Sequence, residues 1–200
     1  MTLGNAWLDI VRRIVDAGVP IDDPTGGYIE LACVQFVANE FSENDPIVRQ
    51  FIPERNIREM EKVFLTNKPN AFGHSYWSRI SGPSGAANQL DRTVALLRKK
   101  PESRKAVITL GADEGADSVP CINAMHFFIR KGHLCLSYFS RGQDMWTKFC
   151  PDVLAIRKIQ ELVATRLGTL PAGPITGFTS SAHIYQRDLS AVKKALKLET

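Results

Sequence analysis

Most signals that would place this 200-residue chain outside the ordinary globular class are missing. Cysteine is scarce, and the four present (Cys33, Cys121, Cys135 and Cys150) show no CxxC spacing. Neither a zinc site, nor any other metal site, nor a disulfide framework is therefore indicated, and reduced thiols in the cytoplasm are expected. No apolar run approaches the ~18 residues of a membrane span. The opening stretch from Met1 to Gly18 carries Arg12 and Arg13 inside an amphipathic pattern of Trp7, Ile10, Val11, Ile14 and Val15, which is a helix rather than a signal peptide. There is no Pro-, Gly- or Ser-rich linker and no repeat, so a single domain over residues 1–200 is expected. An excess of one charge is lacking too: 25 basic residues face 21 acidic ones, for a net +4 spread along the chain. That is too little for a nucleic-acid binder, but it suits an anionic small substrate.

What is present is a 44% hydrophobic content, enough for a packed core, arranged with mixed periodicity. Tyr28 to Ala38 is rich in β-formers and reads as a strand, after a turn over Asp22 to Gly27. Pro53 to Leu65 and Asn88 to Leu97 have helical spacing. Strands are expected over Ala106 to Leu110, Ala124 to Arg130 and His133 to Ser140, with Lys131-Gly132 turning the last two into a hairpin. A long helix from about Val153 to Leu167 has Ile156, Ile159, Leu162 and Val163 as its apolar stripe and Gly168 as its stop. A short strand ending at Ile184-Tyr185 and a basic helix from Asp188 to Leu198 complete the chain. Without regular βαβ alternation, the class is α+β.

Four segments stand out for chemistry: Pro101-Glu102-Ser103-Arg104-Lys105, Pro120-Cys121, Ser140-Arg141-Gly142-Gln143-Asp144 and His183-Ile184-Tyr185. With Asn88-Gln89-Leu90 upstream, their order and spacing resemble the thymidylate synthase family over most of the chain, from Trp7 to about Asp188. The resemblance implies a mixed sheet with flanking helices and one long central helix. It also implies a homodimer with shared active sites, a pyrimidine nucleoside monophosphate as substrate (CMP, dCMP or dUMP) and 5,10-methylenetetrahydrofolate as cosubstrate.

In that family a thiolate at the position of Cys121 adds to C6 of the pyrimidine, turning C5 into a carbon nucleophile that captures the one-carbon unit. A thiol suits this work because it is strongly nucleophilic and can leave again. The resemblance makes Arg141 the phosphate ligand of its own subunit, and Arg104 and Lys105 ligands of the neighbour's phosphate. Ser140 and Gly142, expected to line the substrate site with it, flank that arginine where the family has Gln and Ser. The small Gly142 opens room for a ribose. His183 and Tyr185 correspond to the pair that holds the sugar 3′-hydroxyl, and Asp144 to the carboxylate that holds the pterin of folate. Outside the resemblance, Arg104-Lys105 reads as a solvated turn, His183 and Tyr185 as strand packing, and Asp144 as surface charge.

Asp152 is the most informative position, because thymidylate synthases carry there an Asn that reads uracil. Cytosine presents the opposite pattern, an acceptor at N3 and an amino donor at C4, and a carboxyl group sharing a proton with N3 complements it. Deoxycytidylate hydroxymethylases are similar in this respect. The plainer reading of Asp152 is a helix N-cap. Other departures are Ile122 after the nucleophile, where a His is usual, and Phe72-Gly73 in place of a Tyr-Gly. A family glutamate that manages protons matches Glu61 best on the early helix, with Glu59 as the competitor. The sequence stops at Thr200 without the family's apolar closing tail, which favours capture by water and a hydroxymethyl product. The expectation is a (deoxy)cytidylate 5-hydroxymethyltransferase. The alternatives are a thymidylate synthase acting on dUMP and a non-catalytic nucleotide-binding homologue.

Overall fold

In the computed structural model, the residues described are 1–24, 26–69, 73, 75–82, 88–111 and 119–197. Strands β1 (Val19–Ile21), β2 (Tyr28–Ala38), β3 (Val107–Thr109), β4 (Ile122–Arg130), β5 (His133–Asp144) and β6 (Ala172–Tyr185) form one sheet in the order β1-β2-β6-β5-β4-β3. Among the described strands only β5 and β6 run parallel, so the sheet is mixed and the α+β expectation holds. The helices are α1 (Leu3–Ala17), α2 (Pro46–Phe51), α3 (Glu54–Leu65), α4 (Tyr76–Ser81), α5 (Gln89–Lys99), α6 (Phe149–Arg166) and α7 (Leu189–Ala195). Helix α1 packs on β2 and β6, α6 on β5 and β6, α5 on β3 and β4, and α3 lies against α6. None of the described helices is long and apolar enough to cross a membrane.

The helix ends follow the capping residues. Thr2 accepts from the Asn5 N–H, Asn88 from the Asp91 N–H, and Asp45 from the Ile47 and Val48 N–H groups. At the hairpin, Lys131 (φ 50°) and Gly132 (φ 74°) are both left-handed, as a type I′ turn between twisted strands requires. Helix α6 begins four residues before the expected Val153. Pro151 is its third residue, in the turn whose N–H groups have no intrahelical acceptor, so proline is tolerated there. Its first two turns are buried almost all round, which is why no one-sided stripe marks them.

Strand β6 corrects the expectation of a short strand: it runs 14 residues through the middle of the sheet. Gly173, Pro174, Gly177 and a run of Thr and Ser hide it, since its β character comes from pairing on both edges rather than from propensity. Gly177 lies beside Phe36 of β2 and Tyr138 of β5 and leaves space for both rings.

Pairing breaks at one level across three strands. Cys33 (φ 58°) and Ser180 are unpaired between β2 and β6, and Arg141 and Ser180 between β5 and β6, with the same register resuming on either side. The β4–β5 register shifts at the same level, between Ile122 and Ala124. Across this break the alternation of inward side chains changes phase, from Val34, Phe36 and Ala38 to Ile29 and Leu31 on β2, and from Ile175 to Ala182 and Ile184 on β6.

A Cβ at Gly177 would overlap Phe36 Cε1 and stand 2.7 Å from Tyr138 Cε1. Gly177→Ala is therefore expected to lower stability by about 1–3 kcal/mol, read as the urea midpoint at unchanged slope. An unchanged midpoint would contradict the packing described for this strand.

Candidate active site

Where β5 and β6 end side by side, beside the first turn of α6, lies a cavity of about 680 Å³. Of the residues selected from sequence, it brings together Cys121, Arg141, Gly142, Asp144, Asp152, His183 and Tyr185. It does not bring in Ser140, Glu61, Arg104 or Lys105.

Cys121 stands just before β4. Its backbone carbonyl accepts from the Arg141 N–H (2.9 Å) and lies 3.1 Å from the Ser140 hydroxyl. The Arg141 guanidinium returns to the same segment, donating to Val119 O (2.7 Å) and Pro120 O (3.2 Å). This mutual grip sets the arginine next to the thiol. Burial pushes the Cys121 thiol up from its ordinary pKa, Arg141 counters it, and ionised Asp152 adds to the rise. The group at rest is thus a thiol with a cation beside it. Ser140 is fully buried with its hydroxyl also 2.9 Å from Gly142 O, so it braces the wall from behind and, contrary to expectation, does not face the ligand space.

Asp152 is the fourth residue of α6, and its N–H donates to Lys148 O at 2.9 Å. Lys148 occupies the N-cap position, so the N-cap reading of Asp152 is corrected. Its buried carboxyl accepts a hydrogen bond from Gln143 Nε2 at 3.0 Å. Burial raises its pKa from 3.8 to about 7; the Gln143 donor and Lys148 oppose the rise, and Asp144 adds to it.

Asp144 is committed locally. One carboxylate oxygen accepts from Trp146 N (2.9 Å) and Thr147 N (3.1 Å), the other from the Thr147 hydroxyl (2.5 Å), which fixes the turn from β5 into α6. His183 and Tyr185 share a face of β6, with ring centroids 5.2 Å apart, and Tyr28 packs on both. Arg187 lies over Tyr185 at 4.3 Å. A Cβ on Gly142 would meet Ser181 and His183 only at 3.8–3.9 Å, so there is room beside His183.

Glu61 is placed away from the cavity, its carboxylate paired with Arg58 (3.1 Å) and Lys158. The reason is helical phase: two residues earlier on α3, Glu59 faces the cavity instead. Arg104 and Lys105 are exposed on the segment before β3. Phe72 lies outside the described residues.

Sequence reasoning missed Tyr76, Gln143, Lys68, Lys148 and Arg187, all of which line the cavity. Tyr76 is buried, stacks on Phe64 and accepts the Ile122 N–H at 3.3 Å. Gln143 lies inside the Ser140-Arg141-Gly142-Gln143-Asp144 motif, and Lys148 lies one helical turn before Asp152, so the sequence carries a signal for both. Nothing in the pattern around Tyr76 marked it.

A thiol with an arginine beside it, a buried acid and several further cations make this the site of an enzyme class that attacks an anionic, hydrogen-bonding substrate. The comparisons with known proteins give the class its name. The family model for thymidylate synthase matches residues 44–200, and the chain belongs to that family, one-carbon transferases of pyrimidine nucleotides. A relative from Methanosarcina barkeri is 26% identical over 201 residues, covering 98% of this chain and 92% of its own. One from Methanothermobacter marburgensis is 25% identical over 214 residues, covering 98% and 95%. A third, from Methanocaldococcus jannaschii, is 29% identical over 154 residues, covering 70% and 68%. All three carry the name "Putative thymidylate synthase".

Because the pKa of Asp152 is raised on folding, the folded state holds a proton that the unfolded state has lost between about pH 4 and 7. Its contribution is thus most favourable at low pH and falls as pH rises to about 7. Asp152→Asn removes this dependence. The variant is expected to gain roughly 2–4 kcal/mol relative to the wild type on going from pH 4 to pH 8, measured by denaturant titration. Parallel stability profiles would contradict the buried, raised carboxyl.

Proposed function

We propose that this protein transfers a one-carbon unit to C5 of a cytidylate, as a hydroxymethyl group. The observation that carries the reading is Asp152, a buried carboxyl on the cavity wall with a pKa of about 7. Near neutral pH it can hold the single proton that an acid and cytosine N3 share, whereas a uracil presents its N3–H donor and O4 acceptor in the opposite order. An acid at this position is also what deoxycytidylate hydroxymethylases carry.

Arg141 holds the phosphate, a role its fork of donors suits. Binding of the base neutralises the proton-sharing carboxyl and so removes one of the influences that hold Cys121 in its thiol form. The Cys121 thiol then gives up its proton and adds to C6, electrons move to C5, C5 bonds the methylene carbon and loses its own proton as the carrier amine departs, water adds to that carbon, and the sulfur leaves as the ring double bond re-forms. His183 and Tyr185 hold the sugar, and Gly142 leaves room for a 2′-hydroxyl, which makes CMP as well as dCMP a fitting substrate. Glu59 replaces Glu61 as the early-helix glutamate of the site.

The one-carbon unit comes from 5,10-methylenetetrahydrofolate. Lys68, Lys148 and Arg187 give the cavity more cations than one phosphate needs, which supports a second anionic ligand such as a folate with its glutamate. Asp144, already committed to Thr147 and Trp146, has little left to offer a pterin.

A homodimer is part of this reading. The face of the sheet away from the helices exposes Val37 (44%), Phe139 (39%) and Phe178 (37%), the last two stacked at 5.8 Å. Arg104 and Lys105, outside their own cavity, are then left to serve the partner's phosphate. The names of the relatives favour the second reading, a thymidylate synthase acting on dUMP.

The test is tritium release from C5-labelled CMP, dCMP and dUMP, with and without methylenetetrahydrofolate. Release from a cytidylate is expected, with Cys121→Ser reducing it on the order of 10³-fold or more while nucleotide binding persists. Release from dUMP alone would favour the second reading, and no release from any of the three would leave a binding protein.

A further inference from the structure

The cavity's acid is held from behind by a hydrogen-bonded set for which the reaction described above has no use. Gln143 is almost wholly buried, as are Tyr138 and Thr179. The Gln143 Oε1 accepts from the Tyr138 hydroxyl at 3.1 Å and from the Thr179 hydroxyl at 3.3 Å. Its Nε2 is thereby turned toward Asp152 Oδ2, at 3.0 Å. Reversing the carboxamide would set its NH₂ against both hydroxyls and leave their protons without an acceptor among the described residues, a costly state for buried donors. It would also set oxygen against the carboxylate.

We propose that Gln143, locked by Tyr138 and Thr179, is a positioning residue that confines the proton of Asp152 to Oδ1 and so makes the site selective for a cytosine over a uracil. This rests on the reading of Asp152 as the residue that meets the base. Oδ2 faces an N–H donor, so it cannot carry a proton in that direction. Oδ1 has no hydrogen-bond partner among the described residues, and its residue lines the cavity. A cytosine laid with N3 at Oδ1 and its amino group beside Oδ2 finds a donor and an acceptor in the right order. In the same pose a uracil needs the reverse order, which would require the proton to move to Oδ2. The Gln143 amide makes that move unfavourable, because a protonated oxygen is a much weaker acceptor for its N–H than a carbonyl or carboxylate oxygen, and the two hydroxyls oppose turning the amide over.

Other groups around Asp152 do not supply this lock. Lys148 lowers and Asp144 raises its proton affinity. Tyr76 from α4, Tyr138 from β5, Cys150 from α6 and Cys121 before β4 all have their pKa raised, chiefly by burial, and stay neutral near pH 7. Glu59 of α3 lines the same cavity.

The experiment is calorimetric binding of CMP, dCMP, UMP and dUMP between pH 6 and 9 to the wild type, Gln143→Leu and the double variant Tyr138→Phe/Thr179→Val. For the wild type, cytidylate affinity should be flat below about pH 7 and then fall about tenfold per unit as the complex must take up a proton. The double variant keeps Asp152 and Gln143 but frees the amide, and its preference for cytidylate over uridylate should drop about tenfold or more. Gln143→Leu should show the same loss and move the pH break upward by about one unit, because a donor to the ionised form is gone. The near-isosteric double variant keeps the test open if Gln143→Leu does not fold. A wild type selective for cytidylate, with preference and pH break unchanged in the variants, would overturn the lock alone. A wild type that prefers uridylate would overturn the base-reading role of Asp152 and the lock with it.

Discussion

The break in pairing that crosses β2, β6 and β5 at Cys33, Ser180 and Arg141 is the constraint on which the site depends. A regular sheet would continue its alternation, and Gln143 would then share a phase with Arg141 rather than with Tyr138. Because the strands change phase together, their register survives, and the residues beyond the break turn as a group. Gln143 and Ala182, paired neighbours on β5 and β6, come to share the inward side, while His183 and Tyr185 meet Tyr28 on the other. Arg141, at the break itself, is freed from ladder pairing with β6, and its guanidinium grips the segment that carries Cys121.

From that geometry follow the electrostatics. Burial works against both ionised groups, raising the thiol of Cys121 and the carboxyl of Asp152, and an ionised Asp152 raises the thiol further. Arg141 favours the thiolate and Lys148 the carboxylate, but neither overcomes desolvation. Under the proposed function, a ligand that takes the acid's proton into a shared hydrogen bond would ease the conflict and so link recognition of the base to readiness of Cys121. Such a site is expensive for the fold and useful only for a substrate with complementary donors and acceptors.

Much of this was legible in the sequence. The Lys131-Gly132 hairpin and the apolar spacing of α1, α3 and α5 are local signals, and they set the elements within a residue or two. Cys121, Arg141, Asp152, His183 and Tyr185 were selected through the resemblance to the family, and the fold brings them into one cavity. What remained hidden is tertiary. The length of β6 depends on neighbours on both edges rather than on its Gly, Pro and Ser content. The choice between Glu59 and Glu61 depends on how α3 is rotated against α6, where Lys158 holds Glu61. Tyr76 acts through packing on Phe64, and the role of Gln143 depends on Tyr138 and Thr179, far from it in pattern if not in space.

The central claim is that Asp152 makes this family member a reader of cytosine. The direct measurement is the dissociation constant of cytidylate and uridylate, in matched ribo and deoxy pairs, for the wild type and for Asp152→Asn at pH 7. The account predicts that the wild type binds the cytidylate more tightly and that Asn, which can donate to O4 and accept from N3–H, reverses the order. A wild type that binds uridylate more tightly, or a preference that Asp152→Asn leaves unchanged, would contradict it.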